Sequence, residues 1–253
     1  MVTKTYLGIN NQAVLIYEHV ISWTDGNDSE LLAMINDAYA GKIDLSNYWA
    51  VGDERSVQFK ALSATGVGES HASQTIPIVL TQVGGRSLAN GTTCKFQWAM
   101  KNAMAESGYM NSSVTNTNGW DGSARRTWCN NVFKNSCVSS DMNSVLFKQA
   151  QYKAGKGDGK NELVTSTDYC ALMSVLELAT DLVPSTSGFI QGEGTQLDYY
   201  KTKSNIVLEA WTRSPIASST QAGFGYVTNI NNVYQTAFQT ANTSHPIVVC
   251  GVI

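Results

Sequence analysis

The N-terminal part of the chain shows two apolar runs followed by a helical repeat. Residues 5–10 (TYLGIN) and 13–21 (AVLIYEHVI) are rich in β-branched and aromatic side chains, which predicts two strands. A helix is predicted next, because Asn27 can cap its first turn, Glu30 stands three residues later and Gly41 follows its last turn. The apolar positions of one helix face are Leu31, Ile35, Ala38 and Tyr39. We expect this face to pack on a core or on a partner subunit.

The pattern changes near residue 46, and we place a soft boundary there. Residues 1–45 are interpreted as an attachment segment and residues 46–253 as a larger domain. In that domain, the alternating positions Val57, Phe59 and Ala61 predict a strand after a turn. The run QTIPIVLTQVG at residues 74–84 is apolar enough for a central strand.

The second half alternates short elements with polar stretches. A helix is predicted from Asp121, with Asp121 or Ser123 as its cap. A short helix running into a strand is predicted over 141–155, and a hairpin loop over 155–162. The C-terminal run HPIVVCGVI predicts a buried strand. Few helices, many short strands and long polar loops together indicate a mixed α+β fold.

Composition makes the surface unusual. Only 15% of the 253 residues are charged, against about 25% in an average protein, while 43% are hydrophobic, enough for a core. Asn, Ser and Thr supply the missing polarity, as expected of an extracellular or virion protein. The net charge is -3 without a basic cluster, so we expect no nucleic-acid partner. We expect no membrane insertion either, because no apolar run reaches 18 residues, and we identify no signal peptide.

Candidate chemistry is sparse. The five cysteines show no CxxC pair and are interpreted as small buried hydrophobic residues, with one disulfide left open. The DGKNE run at 158–162 is better explained as an exposed hairpin loop than as a calcium site. His19 is interpreted as a core or interface residue and His245 as a loop residue. His71 lies near Glu69, Ser70 and Ser73, but the G-x-S-x-G elbow of a serine hydrolase is absent from the sequence. We therefore predict no catalytic residue, metal or cofactor.

The stretch EAWTRSP at 209–215 joins an aromatic ring, a cation and a proline. Trp211 is predicted to pack in the core, and Pro215 holds the residue before it extended. Arg213 is predicted to act as a structural anchor that donates hydrogen bonds to carbonyl groups or to a carboxylate. A direct ligand contact is the alternative for Arg213.

Residues 216–244 are almost free of charge and rich in Asn, Ser, Thr, Tyr and Gln. Aromatic rings and amides interleaved in this way are typical of adaptable binding loops, although these residues also populate ordinary turns. We predict that this segment contacts a ligand. The candidate contacts are Tyr226, Asn229, Asn231, Asn232, Tyr234, Gln235 and Asn242.

An ordered series of motifs carries a family resemblance. The motifs are NYWAVGDERSVQFKA, ATGVGESHASQTIPIVL, GYMNSSVTNTNGWDGSARRTWCNNVF, STDYCALMSVLEL and WTRSP, spread over residues 46–253. Together they resemble the DUF6273-type domain of phages, prophages and some bacterial surface proteins. The resemblance implies a C-type-lectin-like layout, no established enzymatic activity, and a structural or tail-associated role in a phage particle.

The sequence thus predicts a non-enzymatic phage virion protein, made in the host cytoplasm and assembled into the particle. Its expected role is that of a tail- or fibre-associated, receptor-binding subunit that recognises a bacterial surface glycan or protein. Expected partners are other virion subunits and further copies of the same chain. Two alternatives remain open: a capsid decoration, head-fibre or tail-hub protein without a ligand, and a cell-wall-degrading virion enzyme.

Overall fold

A computed structural model describes residues 4–9, 12–17, 21–178, 189–202, 209–217, 222–230 and 233–253 of the chain. Its N-terminal elements follow the sequence pattern. Strands β1 (Lys4–Ile9) and β2 (Gln12–Tyr17) form an antiparallel hairpin. Helix α1 (Asp28–Tyr39) begins after Asn27, whose side chain accepts from the Glu30 amide while the Glu30 side chain accepts from the Asn27 amide. The predicted cap is therefore confirmed, as is the turn at Gly41, where φ is +72°.

The main sheet has five antiparallel strands in the order β3–β4–β5–β12–β8. Their bounds are β3 (Glu54–Phe59), β4 (Gln74–Val83), β5 (Phe96–Met100), β8 (Cys170–Leu172) and β12 (Val249–Val252). The predicted strands around Val57 and over 74–84 are confirmed, although Ala61 lies beyond the end of β3 and is exposed. The C-terminal strand is fully buried, as predicted, and is inserted between β5 and β8.

Three short helices lie between these strands, and each begins near a polar cap or turn. Ser123 caps α2 (Ala124–Asn131) by accepting from the Arg126 amide, and Ser139 caps α3 (Ser140–Leu146) in the same way. Helix α4 (Val175–Leu178) is a single turn directly after β8. The predicted helices after Asp121 and within 141–155 are confirmed, with Ser123 rather than Asp121 as the cap.

Two smaller sheets complete the described structure. Strands β6 (Ala150–Gly157) and β7 (Lys160–Asp168) form the predicted hairpin, with its turn at Asp158 and Gly159. Strands β9 (Ala210–Pro215), β10 (Gly223–Ile230) and β11 (Val233–Thr240) form an antiparallel sheet in the order β11–β10–β9. The fold class is therefore mixed α+β.

Most buried side chains form one hydrophobic cluster that runs from Ile21 to Ile253. Helix α1 packs against α3, and its buried Leu31, Met34 and Ile35 belong to this cluster. Trp23 packs on Trp49, with ring centroids 5.5 Å apart. The described part of the predicted attachment segment, residues 21–45, therefore packs on the core of the same chain.

All five cysteines are free and buried, as the small-hydrophobe interpretation predicts. Burial raises the pKa of Cys137 and of Cys250 to about 12, so both thiols stay protonated at neutral pH. No helix in the described part of the chain is long and apolar enough to span a membrane.

Candidate functional site

The predicted contact segment forms a hairpin over most of its length. Residues 223–230 and 233–240 are eight-residue strands, so the interpretation of 216–244 as a loop segment is wrong for these residues. These residues form strands because of tertiary pairing. Strand β10 pairs with β9 on one side and with β11 on the other, which gives its backbone N–H and C=O groups hydrogen-bond partners.

The structure brings three of the predicted contact residues together. In the hairpin register Asn229 lies opposite Tyr234, and Gln235 lies opposite the neighbouring Thr228. These positions are at the ends of β10 and β11 that flank residues 231–232, and Asn231 and Asn232 lie outside the described residues. Asn242 is exposed beyond the end of β11, at the opposite end of the hairpin, roughly 25 Å away for strands of this length.

Tyr226 lies in the supporting layer of the hairpin. It is 8% exposed, and its ring lies 4.0 Å from that of His245 and 6.3 Å from that of Trp211. Its hydroxyl group donates to Glu209 Oε2 over 3.3 Å. The structure describes the side-chain burial of two predicted contact residues. Tyr226 is buried, and Asn242 is exposed.

Strand β9 anchors the hairpin to the core. All six of its residues are buried. Trp211 donates from Nε1 to the Gly108 carbonyl over 2.9 Å, which confirms its predicted core position. Arg213 is 0% exposed, and its guanidinium contacts four separate segments of the chain.

Arg213 forms five hydrogen bonds, and two of them form a fork with Glu177. Nη1 and Nη2 each donate to one Glu177 oxygen over 2.6 Å. The remaining bonds go to backbone carbonyl groups, namely those of Lys153 at 3.0 Å, Leu172 at 2.7 Å and Glu193 at 3.0 Å. The prediction of a structural anchor bonded to carbonyl groups and a carboxylate is confirmed.

Glu177 also binds a second arginine. Arg86 Nη2 donates to Glu177 Oε1 over 2.6 Å, and the Ser174 amide donates to Oε2. Burial alone would raise the pKa of Glu177, but the charges of Arg213 and Arg86 outweigh it and lower the pKa to about 2. Glu177 is therefore ionised at any physiological pH, and its lone pairs are engaged by the protein.

A second carboxyl group, Glu193, lies beside this network and is 1% exposed. It accepts from the Gly155 amide over 2.6 Å and from the Ser214 hydroxyl group. Burial raises the pKa of Glu193 to about 7, because these hydrogen bonds and the charge of Arg213 do not offset the loss of hydration. Near neutral pH this side chain is present in both protonation states.

An open cleft of about 370 Å³ lies over these charged groups. Its walls come from the β4–β5 turn, β5, β6, α4 and the segment before residue 198. The lining residues that carry polar side chains are Arg86, Ser87, Gln97, Gln151, Lys153, Glu177, Glu193 and Thr195. Sequence analysis missed this cleft, because Arg86 and Glu177 are 91 residues apart and no local pattern pairs them.

The histidines are the remaining candidates for a catalytic role. His71 is buried, and its Nδ1 lies 3.1 Å from Glu106 Oε2, while Ser73 donates to the Phe59 carbonyl. Burial lowers the pKa of His71 despite this carboxylate. His245 packs on Tyr226, and His19 lies outside the described residues. Within the described ranges, no group of three or more His, Cys, Asp or Glu residues is arranged to hold a metal ion.

Comparison with known families identifies the domain. Residues 98–247 match the family described as "Domain of unknown function (DUF6273)", which covers more than half of the chain. The chain therefore belongs to this family, and the predicted resemblance to DUF6273 is confirmed over residues 98–247. The matched region contains α2 to α4, β6 to β11, and both Glu177 and Arg213. The chain has no significant match among curated proteins or solved structures.

Proposed function

We propose that this protein is a phage virion subunit, associated with the tail or a fibre, that binds a bacterial surface glycan or protein. In this proposal the domain has a C-type-lectin-like arrangement and acts without catalysis or a cofactor. The sheet of β9, β10 and β11 presents the contact surface, with Asn229, Tyr234 and Gln235 near its tip.

The observation that supports this role is the change in burial across the three-stranded sheet. Every residue of β9 is buried, and so are residues 223–227 of β10. The described side chains of β11, residues 237–240, are half-buried or exposed. A more exposed outer strand held by a buried inner strand is the arrangement that a precise binding surface requires.

The composition of β11 favours contact with another molecule. Residues 233–240 (VYQTAFQT) contain no charge and no proline, which are the features that usually protect an edge strand from pairing. In the part of the chain that the structure describes, β11 pairs with β10 alone. Its free edge can accept an incoming strand, and its Tyr, Gln and Thr side chains can hydrogen-bond hydroxyl groups.

The same edge also favours a second candidate, a decoration, head-fibre or tail-hub subunit without a host ligand. In that role the edge of β11 would pair with a neighbouring subunit in the particle. The two candidates differ in whether the isolated protein binds cells.

A cell-binding assay tests the proposal. The purified protein is displayed in many copies on fluorescent beads, because avidity makes weak single-site binding measurable. The beads are mixed with washed cells of a panel of Gram-positive and Gram-negative strains. We expect binding to at least one strain, and Tyr234→Ala to lower it about tenfold with little change in Tm.

Asn131→Ala is the matched control, since Asn131 is exposed on α2 outside the hairpin. It should bind like the wild type. If no strain binds the wild-type beads, the receptor-binding role is excluded and the structural subunit is favoured. A large fall in Tm for Tyr234→Ala would place Tyr234 in the core. Release of cell-wall sugar or peptide by the wild type would instead support the wall-degrading alternative.

A further inference from the structure

The polar cleft beside the Glu177 network shares no residue with the predicted hairpin contacts, and its chemistry points to a ligand of its own. Its walls are formed by segments that are far apart in the sequence, from Gly85 to Leu197. A volume of about 370 Å³ lies within the range of small-molecule sites and is large enough for one sugar unit.

The floor of the cleft is rigid. Glu177 accepts two bonds from Arg213, one from Arg86 and one from the Ser174 amide, which accounts for the lone pairs of its two oxygens. Glu193 is held by the Gly155 amide and the Ser214 hydroxyl group. A ligand would therefore meet groups that are already in fixed positions, and would lose little binding energy in ordering them.

The cleft carries an excess of positive charge, although the whole chain has a net charge of -3. Glu177 shares its single negative charge between two guanidinium groups. Lys153 adds a third cation at the wall. It is exposed and forms no salt bridge with any residue in the described ranges. Glu193 offsets only part of this charge, because it is partly protonated near neutral pH.

Arg86 retains an unused donor. Its Nε and Nη2 donate to Gln97 and Glu177, while Nη1 has a single bond within the described structure, to the Gln151 carbonyl at 3.2 Å. A guanidinium Nη carries two N–H groups, so one remains available. The Arg86 side chain is 10% exposed and lines the cleft.

Among the residues that line the cleft are glycines at positions where a side chain would be strained. A Cβ atom on Gly194 would lie 2.7 Å from Glu177 Cγ, and the Glu177 side chain cannot move away without breaking its bonds to both arginines. Gly85, which also lines the cleft, has a φ of +81°, a backbone conformation that favours glycine. The backbone is thus bare at these positions, and Gln151 and Thr195 supply exposed polar side chains to the same cleft.

We infer that this cleft binds the carboxylate or phosphate group of a small polar ligand, such as an acidic sugar unit. Lys153 and the free N–H of Arg86 contact the anion, and the side chains of Gln151 and Thr195 hydrogen-bond hydroxyl groups of the same ligand. A guanidinium and an ammonium group that line the same cleft can recognise both kinds of anion. The inference does not depend on whether the hairpin binds a host surface.

Isothermal titration of the full-length protein at pH 6.5 and low salt tests the inference. The probes are glucuronate, glucose 6-phosphate and glucose, which share a ring and differ in the anionic group. We expect one of the two anionic sugars to bind at least about tenfold more tightly than glucose, because a hydrogen bond between charged groups has roughly that effect. Which of the two binds more tightly identifies the anionic group.

Two lysine variants on the same hairpin separate the cleft from general attraction of anions. Lys153→Gln should weaken binding of the anionic sugar about tenfold, while Lys160→Gln, an exposed position outside the cleft, should leave it unchanged. The Tm of both variants should stay near that of the wild type. Equal binding of glucose, equal effects of the two variants, or no binding of either anionic sugar at millimolar concentration would each overturn the inference.

Discussion

At the scale of single residues, Arg213 is the clearest case of a role that follows from side-chain chemistry. A planar guanidinium has five donors in a fixed geometry, and a buried position requires that they be used. Arg213 uses them on β6, β8, α4 and the segment that contains Glu193. One side chain therefore holds together four parts of the chain that local structure would leave independent.

We expect Arg213→Met to lower the free energy of unfolding by about 3–5 kcal/mol, because it leaves Glu177 buried with only one cationic partner. Urea unfolding at pH 7 measures this change. Lys160→Met, at an exposed position, is the control and should stay within about 0.5 kcal/mol of the wild type. A stable Arg213→Met variant that had lost ligand binding would show that Arg213 is a contact residue and not an anchor.

The two buried carboxyl groups predict opposite effects of pH on stability. The pKa of Glu193 is about 7 in the folded protein and near 4.5 when unfolded, so the folded state binds the extra proton between these values. Its contribution to stability is therefore lost as pH rises from about 4.5 to 7. The pKa of Glu177 is lowered to about 2, so its contribution is lost as pH falls from about 4.5 towards 2.

Glu193→Gln separates the first of these effects from the rest of the chain. A neutral amide can still accept from the Gly155 amide, and it does not ionise. Between pH 5 and pH 8 we expect the wild type to lose up to about 3 kcal/mol more unfolding free energy than the variant. Urea unfolding at one-unit pH steps gives both curves. Parallel curves for the two proteins would show that Glu193 does not titrate in this range.

At the scale of elements, helices follow from a few neighbouring residues, while strands depend on their partners. The bonds between Asn27 and Glu30, and the cap at Ser123, join residues three positions apart, so the sequence predicts both helix starts. Strand β11 is different. Its residues lack a clean alternation, and the Asn and Ser residues elsewhere in 216–244 are typical of loops and turns. Pairing of β10 with the buried β9 is what makes this segment a hairpin.

At the scale of the whole molecule, one core joins the two predicted segments. The buried face of α1 contributes Leu31, Met34 and Ile35 to the cluster that contains the main sheet. Tyr39 donates from its hydroxyl group to the carbonyl of Ile253, the last residue of the chain, over 2.9 Å. The last residue of α1 and the C-terminal residue are thus in direct contact.

We therefore expect a chain that begins at residue 46 to fail to fold, because it exposes the surface that α1 and Trp23 cover in the full chain. Circular dichroism and a thermal melt measure this, with the full chain as reference. A cooperative melt of the shortened chain close to that of the full chain would show instead that residues 46–253 are an independent domain.

The sequence by itself determined the features that depend on composition or on near neighbours. These include the low-charge polar surface, the capped helices, the hairpin of β6 and β7, the buried cysteines, and the anchoring role of Arg213. Each depends on a residue's own chemistry or on contacts within a few positions, which a linear pattern records directly.

Only the tertiary structure decided the sheet order and the charged cleft. Strand β12 is inserted between β5 and β8, and Arg86 meets Glu177 across 91 residues. Such contacts depend on which distant surfaces bury one another, and local periodicity contains no information about that choice. For the same reason the pKa of Glu193 could not be predicted from the sequence, since it is raised by burial among residues that the fold brings together.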